Sequence, residues 1–228
     1  MKLTLPLLSM LFLVLSNCVD AADTQLGTSK QTTQSPLKNV VVFCSSSHKI
    51  KNSYQEAATA LGETLAKNNI NLVFGGSDTG LMGLVARAAK AGGSKITNIF
   101  PEQLKAYNIE YKEADVFIYT KTIGERKEKM MRADAFVALP GGFGTLDEVM
   151  SAVIAKQLGV HKKPIILVNI DGFWQPLLET FKAMAKENTL KPEHLQLVTI
   201  IDSPDHLMGA LEAEQGGFLD IETRWWEK

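Results

Sequence analysis

Residues 135–148 read Ala135-Phe136-Val137-Ala138-Leu139-Pro140-Gly141-Gly142-Phe143-Gly144-Thr145-Leu146-Asp147-Glu148, and their order decides the fold. The apolar run from Ala135 to Leu139 is short, holds a β-branched residue and stops at Pro140, which reads as a buried strand. The glycines then let the backbone turn tightly. Leu146, Val149, Met150, Val153, Ile154 and Leu158 follow at helical spacing, with Thr145 as the expected N-cap of a helix over 145–158. Free backbone N–H groups at a helix start, approached closely across glycine, form a site for phosphate or another anion.

Working outward, apolar β-type runs recur at Val40-Cys44, Asn71-Phe74, Lys95-Phe100, Val116-Thr120, Pro164-Asn169 and Leu197-Ile201. Each is short and nearly continuous rather than alternating, as in strands buried on both faces. Helical patterns lie between most of them, at Ser53-Lys67, Leu81-Ala91, Ile123-Ala133, Trp174-Lys186 and Pro204-Glu214. Alternating strands and helices imply a single α/β domain of three layers, a doubly wound parallel sheet with right-handed crossovers. Ligands of such sheets collect at the carboxyl ends of the strands, near a topological switch point.

The 228 residues, less a short leader, suit one domain of roughly 190 residues. A formal net charge of −1 without a clustered basic stripe argues against nucleic acid as the main partner. Residues 1–21 read as an export signal: Lys2 is the positive start, Leu5 to Leu15 is apolar, and Val19-Asp20-Ala21 resembles a cleavage site. The apolar run is too short to span a bilayer, and the plainer reading is a hydrophobic first strand or helix. Leu15-Ser16-Asn17-Cys18 also resembles a bacterial lipobox, which would end the signal before Cys18 and attach the protein to a membrane by lipid. The localisation expected is therefore exported, periplasmic or secreted. Residues 22–38, rich in Thr, Gln and Ser, read as a flexible linker, 39–214 as the folded domain and 215–228, with Trp225-Trp226, as a tail.

Three loops at strand ends carry unusual residues. Ser45, Ser46 and Ser47 offer hydroxyls and amides to a phosphate or ribose, or make a polar turn. Gly75-Gly76-Ser77-Asp78-Thr79-Gly80-Leu81-Met82-Gly83 is a glycine-dense approach to a helix, and Pro140 to Thr145 is the third loop. Gly75 and Gly80 have P-loop spacing, but Leu81-Met82 replaces the required Lys and Ser/Thr; Gly142-Phe143-Gly144 begins a dinucleotide pattern, but Asp147 occupies the third glycine position. There is no G-x-S-x-G, H-E-x-x-H or paired C-x-x-C, so a serine hydrolase or zinc site has no support. His48, His161, His194 and His206 are scattered and read as surface or loop residues.

Two carriers of charge remain open to two readings each. Glu148 is either a functional carboxylate or the second half of a Thr145-x-x-Glu148 capping box. Arg126 and Lys127, in Glu125-Arg126-Lys127, are either the positive charge a phosphate site needs beside Asp147 and Glu148, or part of a solvated helix face with Lys121, Lys129 and Arg132.

Together, Glu125-Arg126-Lys127 and Pro140-Gly141-Gly142-Phe143-Gly144-Thr145-Leu146-Asp147-Glu148 resemble the double signature of the Lonely Guy (LOG) family, the cytokinin riboside 5′-monophosphate phosphoribohydrolases often mislabelled as lysine decarboxylases. Supporting matches are Phe43-Cys44-Ser45-Ser46, Gly75-Gly76, Gly80-Leu81-Met82-Gly83, Gln157-Leu158-Gly159-Val160-His161 and Asn169-Ile170-Asp171-Gly172-Phe173. The resemblance implies a Rossmann-like homodimer without metal or organic cofactor, which hydrolyses the N-glycosidic bond of a nucleoside 5′-monophosphate to free base and ribose 5-phosphate. It further implies Arg126 and Glu148 as the catalytic pair. Substrate would be held by Ser45, Ser46, Gly75, Gly76, Lys127, Pro140, Gly141, Gly142, Gly144 and Thr145, the loop glycines and Thr145 taking the phosphate. Departures from the family pattern are Ser45 and Ser77 at common glycine positions, Gly124 in place of a frequent histidine, and no tryptophan before Gln157-Leu158-Gly159.

Glycosidic cleavage builds positive charge on the ribose, which a fixed carboxylate such as Glu148 can stabilise while orienting water. A forked, permanently charged Arg126 would grip a phosphate or ribose oxygen and keep Glu148 ionised. The alternatives are a nucleotide-binding protein of the same fold without catalysis, and a decarboxylase, for which no Lys stands out as a pyridoxal partner.

Overall fold

A computed structural model describes residues 37–216; the leader, the linker up to residue 36, Cys18 and the Trp225-Trp226 tail lie outside the described residues. Seven strands form one all-parallel sheet: β1 Asn39–Phe43, β2 Asn71–Phe74, β3 Ile96–Pro101, β4 Val116–Thr120, β5 Ala135–Ala138, β6 Ile165–Val168 and β7 Thr199–Ile201. Their spatial order is β4-β3-β2-β1-β5-β6-β7. The chain builds outward from β1 to β4, then returns to pair β5 on the other side of β1, with Val41 in register with both Val73 and Phe136. The carboxyl ends of β1 and β5 therefore form the switch point where connections diverge.

Six helices cover the two faces: α1 Asn52–Lys67, α2 Gly80–Ala91, α3 Ile123–Met130, α4 Phe143–Gln157, α5 Gln175–Lys186 and α6 Leu207–Gly216. Successive strand residues point to opposite faces, so β1 divides its side chains between two cores. Val40 and Val42 pack with Leu61, Leu81, Val85 and Leu207 of α1, α2 and α6. Val41 and Phe43 pack with Met130, Phe136, Val149 and Val153, the face of α3 and α4, and with Leu177 of α5. Phe43 and Phe136 stack across the β1–β5 pair with centroids 6.3 Å apart.

Several elements differ from the sequence reading, each for a local reason. β4 is an edge strand that leaves Phe117 and Tyr119 exposed, so it alternates in burial instead of being covered on both faces. α4 begins two residues before the expected start, with Gly142 as N-cap. α3 ends at Met130, three residues short of Ala133. His194 is buried, and burial holds the His161 imidazole down at about 4. At the start of the described chain, Leu37 packs against the core, and the amides of Lys38 and Asn39 both donate to Asp134.

Phe136 is fully buried at the centre of the face that carries α3 and α4. Phe136→Ala is expected to lower stability by about 3–5 kcal/mol, read from urea unfolding followed by circular dichroism; a loss under 1 kcal/mol would contradict this packing.

Candidate functional site

Three loops meet over the switch point. The Ser45 amide donates to the Pro140 carbonyl at 3.1 Å, and the Leu81 amide donates to the Ser45 carbonyl at 2.9 Å. Gly80 closes the junction. Its φ is +56°, and a Cβ there would lie 2.6 Å from the Ser47 carbonyl oxygen and 2.7 Å from that of Ser45. The loops after β1, β2 and β5 are thus locked together by backbone contacts that only glycine permits.

The turn after β5 leads directly into α4. The first intrahelical bond runs from the Leu146 amide to the Gly142 carbonyl at 3.0 Å, so the amides of Phe143, Gly144 and Thr145 have no acceptor within the helix. These N–H groups are the anion-binding feature expected from the sequence. Gly142 and Gly144 are exposed, lack positive φ, and would meet nothing within 4 Å if given a Cβ. The protein's own packing therefore does not require glycine at either position. Thr145 is buried, in the first turn and not at the cap, with its hydroxyl against Gly141.

Glu148 does not cap α4. It lies in the second turn, 7% exposed, and its Oε1 accepts from Arg126 Nη1 at 2.5 Å. A side-chain cap of that spacing belongs to α3, where Thr122 Oγ1 accepts the Glu125 amide at 3.0 Å, and Glu125 Oε2 accepts the amide of Lys121, one residue before the N-cap, at 3.0 Å. Of the Glu125-Arg126-Lys127 run, then, the first residue fixes the helix start that aims the second. Lys127 bonds Asp147 at 2.7 Å, neutralising the other carboxylate at the start of α4.

Arg126 is held on three sides. Its Nε donates to the Ile99 carbonyl within β3 at 3.1 Å, Nη1 reaches Glu148, and Nη2 lies against Gly75, where a Cβ would collide with it. Burial pushes the Glu148 carboxyl above its ordinary value; Arg126 opposes that shift, as does Lys127 to a lesser degree, while Asp147 adds to it. Cys44 is buried at the end of β1, and burial, with Glu148 nearby, pushes its thiol far up. Among the described residues, no group of three or more His, Cys, Asp or Glu side chains could hold a metal ion.

Of the sequence candidates, Ser45, Pro140, Gly141, Gly142, Gly144 and Thr145 meet at the β1–β5 junction, and Gly75, Arg126 and Glu148 form a second cluster across α4. Ser46 is exposed beside Gly80. Gly76 turns with φ +84° against Asn98, a buried strand residue that sequence reasoning did not single out. A lone asparagine in an apolar run is the one signal that pointed to it. An apolar cavity of about 310 Å³ between the starts of α4 and α5 also went unread, lined by Phe143, Leu146, Phe173, Trp174 and Leu177 beside Gly141 and Gly142.

The family model described as possible lysine decarboxylase matches residues 82–211. The chain is 39% identical over 180 residues to a protein named "Probable cytokinin riboside 5′-monophosphate phosphoribohydrolase" from Oryza sativa subsp. japonica, covering 78% of this chain and 74% of that one. It is 36% identical over 195 residues to a cytokinin riboside 5′-monophosphate phosphoribohydrolase of Arabidopsis thaliana, covering 85% and 90% of the two chains. Among solved structures, the molybdenum cofactor carrier protein of Chlamydomonas reinhardtii superposes with a TM-score of 0.62 at 19% identity, over 80% of this chain and all of that one. The molybdenum cofactor binding protein of Rippkaea orientalis gives 0.59 at 22% identity, over 80% and 98%. At these identities the structural likeness speaks for the fold alone.

Removing the cation leaves Glu148 buried without its main stabilising partner. Arg126→Ala is expected to raise the Glu148 titration further, followed by carbon NMR of the labelled side chain. An unchanged titration would show that the pair does not hold the carboxylate.

Proposed function

We infer the reaction of this chain from its family, since it belongs to the Lonely Guy (LOG) family of phosphoribohydrolases. It hydrolyses the N-glycosidic bond of a nucleoside 5′-monophosphate, giving free base and ribose 5-phosphate. The observation that carries this reading to particular side chains is the buried Arg126–Glu148 pair beside a helix start with open glycines.

The geometry supports the following roles. The 5′-phosphate sits on the amides of Phe143, Gly144 and Thr145, where backbone approach across Gly142 and Gly144 is unobstructed. Binding there positions the ribose over Arg126 and Glu148. As the bond from C1′ to the base nitrogen breaks, both electrons leave with the base and positive charge grows on the ribose. The Glu148 carboxylate faces that charge in a site with little water, where electrostatic stabilisation is strong. Water then adds its hydroxyl to C1′, and its proton balances the departing base. Arg126 spends Nε and one Nη1 hydrogen on the protein, which leaves N–H groups on both terminal nitrogens for a phosphate or ribose oxygen. Ser45 and Ser46 border the same cleft from the β1 side. The substrate base is adenine or an N6-modified adenine in this reading.

A homodimer and an exported location complete the proposal. Phe143, 92% exposed, together with Ile154, Leu158 and Val160, forms an outward apolar stripe along and just past α4, suited to a second copy. Among the described residues no helix is long and apolar enough to cross a membrane. Membrane attachment, in this proposal, runs through the leader or a lipidated Cys18. Light scattering and intact mass of the exported protein test both: a monomer in solution, or a chain still carrying the intact leader, would end the corresponding claim.

Purified protein is expected to release base from AMP or an N6-substituted analogue, detected by chromatography. Unchanged nucleotide from a folded sample would mean a binding protein instead. Glu148→Gln is expected to retain nucleotide binding and lose at least a hundredfold in kcat, as for removal of an electrostatic stabiliser. Because the ionised carboxylate is the active form and burial raises its titration, activity in the native enzyme falls as pH drops through a value above the ordinary 4.5 of glutamate.

A further inference from the structure

We propose that Asn98 is a positioning residue for Arg126, acting through the Gly75–Gly76 turn against which the guanidinium rests. The claim builds on the hydrolase reading above, in which Arg126 touches the substrate. Asn98 is completely buried on β3, in register with Phe74 on one side and Phe117 on the other. A carboxamide in such surroundings is costly unless its polar atoms are partnered. Its Nδ2 donates to the Gly76 carbonyl at 3.2 Å and reaches the Tyr111 carbonyl at 3.4 Å, while its Oδ1 has no hydrogen-bond partner. The reverse amide orientation would aim oxygen at two carbonyls, so the donor's direction is fixed by chemistry.

What the donor holds is a turn that glycine adopts freely and other residues do not. Gly76 has φ +84°, and a Cβ at that position would collide with Asn98 Oδ1. The Gly76 carbonyl also accepts the Tyr111 amide at 2.8 Å, and the Asp78 amide donates to the Ile109 carbonyl at 2.7 Å. The turn is therefore gripped by Asn98 from β3 and by residues 109–111 from the other side. Gly75, one residue earlier, presents bare backbone to Arg126 Nη2. Ile99, the neighbour of Asn98 on the same strand, supplies the carbonyl that takes Arg126 Nε at 3.1 Å.

Two adjacent positions of β3 thus fix one guanidinium, Ile99 by direct contact and Asn98 by way of Gly76 and Gly75. Loss of the Asn98 donor leaves the Ile99 bond and the Glu148 pair in place and frees the turn beneath Nη2. The charge stays in the site, but its placement slackens. Misplacement of a positioned group costs more in the transition state than in ground-state binding.

The test is a double-mutant cycle on AMP hydrolysis with the wild type, Asn98→Ala, Arg126→Ala and the double variant. Expected is a tenfold to hundredfold fall in kcat for Asn98→Ala with KM changed less than threefold, and less than a twofold further effect of Asn98→Ala when Arg126 is already alanine. An equal loss in both backgrounds, or a lower melting temperature with unchanged kcat, overturns the proposal. If Asn98→Ala does not fold, Asn98→Val, which suits a strand and has no side-chain donor, passes through the same cycle with the same criteria. Should the wild type release no base, the hydrolase reading fails separately, and the cycle is read from ribose 5-phosphate affinity by calorimetry. There, weakening by Asn98→Ala only when Arg126 is present supports the positioning role, and equal weakening in both backgrounds, or none in either, overturns it.

Discussion

The pairing of β1 with β2 on one side and β5 on the other is the constraint from which the site follows. Because all strands run parallel, every carboxyl end faces the same edge, and because the chain reverses its direction of growth at β1, the loops there part instead of crossing. Into that gap the sequence places serines after β1 and glycines after β5, joined by the Ser45–Pro140 backbone bond. Alternation along β1 anchors both layers of helices through Val40 and Val42 on one face and Val41 and Phe43 on the other. The position of α4, and so of Glu148, derives from that packing.

A carboxylate taken out of water costs several kcal/mol unless a partner repays it. Around Glu148 the repayment comes from one guanidinium, itself tied to Ile99 and backed by Gly75. Burial still outweighs the cation in setting the direction of the carboxyl's shift. The consequence is a charge whose surroundings favour its neutralisation; in the proposed reaction a developing oxocarbenium ion would supply that neutralising charge for the lifetime of the transition state. The same carboxylate in water would already be satisfied.

Much of this was legible in the sequence because it is periodic. Continuous apolar runs such as Ala135–Ala138 and Ile165–Val168 gave strands, and 3.6-residue spacing gave α1 to α5 to within a few residues. Arg126 and Glu148 were legible as a pair because a known double motif joins them across 22 positions. The local chemistry between was less so. Thr145-x-x-Glu148 and Thr122-x-x-Glu125 have the same capping spacing, and only the position of Gly142 decides that the second is the cap. β4 read as covered on both faces because nothing in Val116–Thr120 declares an edge, which depends on which strand lies next to it. Asn98 was unreadable for a similar reason: its role is a relation to Gly76 and Tyr111, 22 and 13 residues away.

The interlock at Gly80 divides the cleft into unequal halves. On one side, three loops share backbone contacts that leave no room even for a methyl group. On the other, α3 is eight residues long and buries Met130 alone. Local opening is easiest where few apolar contacts must be broken. Mutations that reshape the exposed surface of α3, at Ile123 and Gly124 for instance, meet little resistance from the core, whereas the loop junction at Gly80 tolerates almost none. A lineage carrying this fold can vary the surface of α3 freely while the junction of its loops stays fixed.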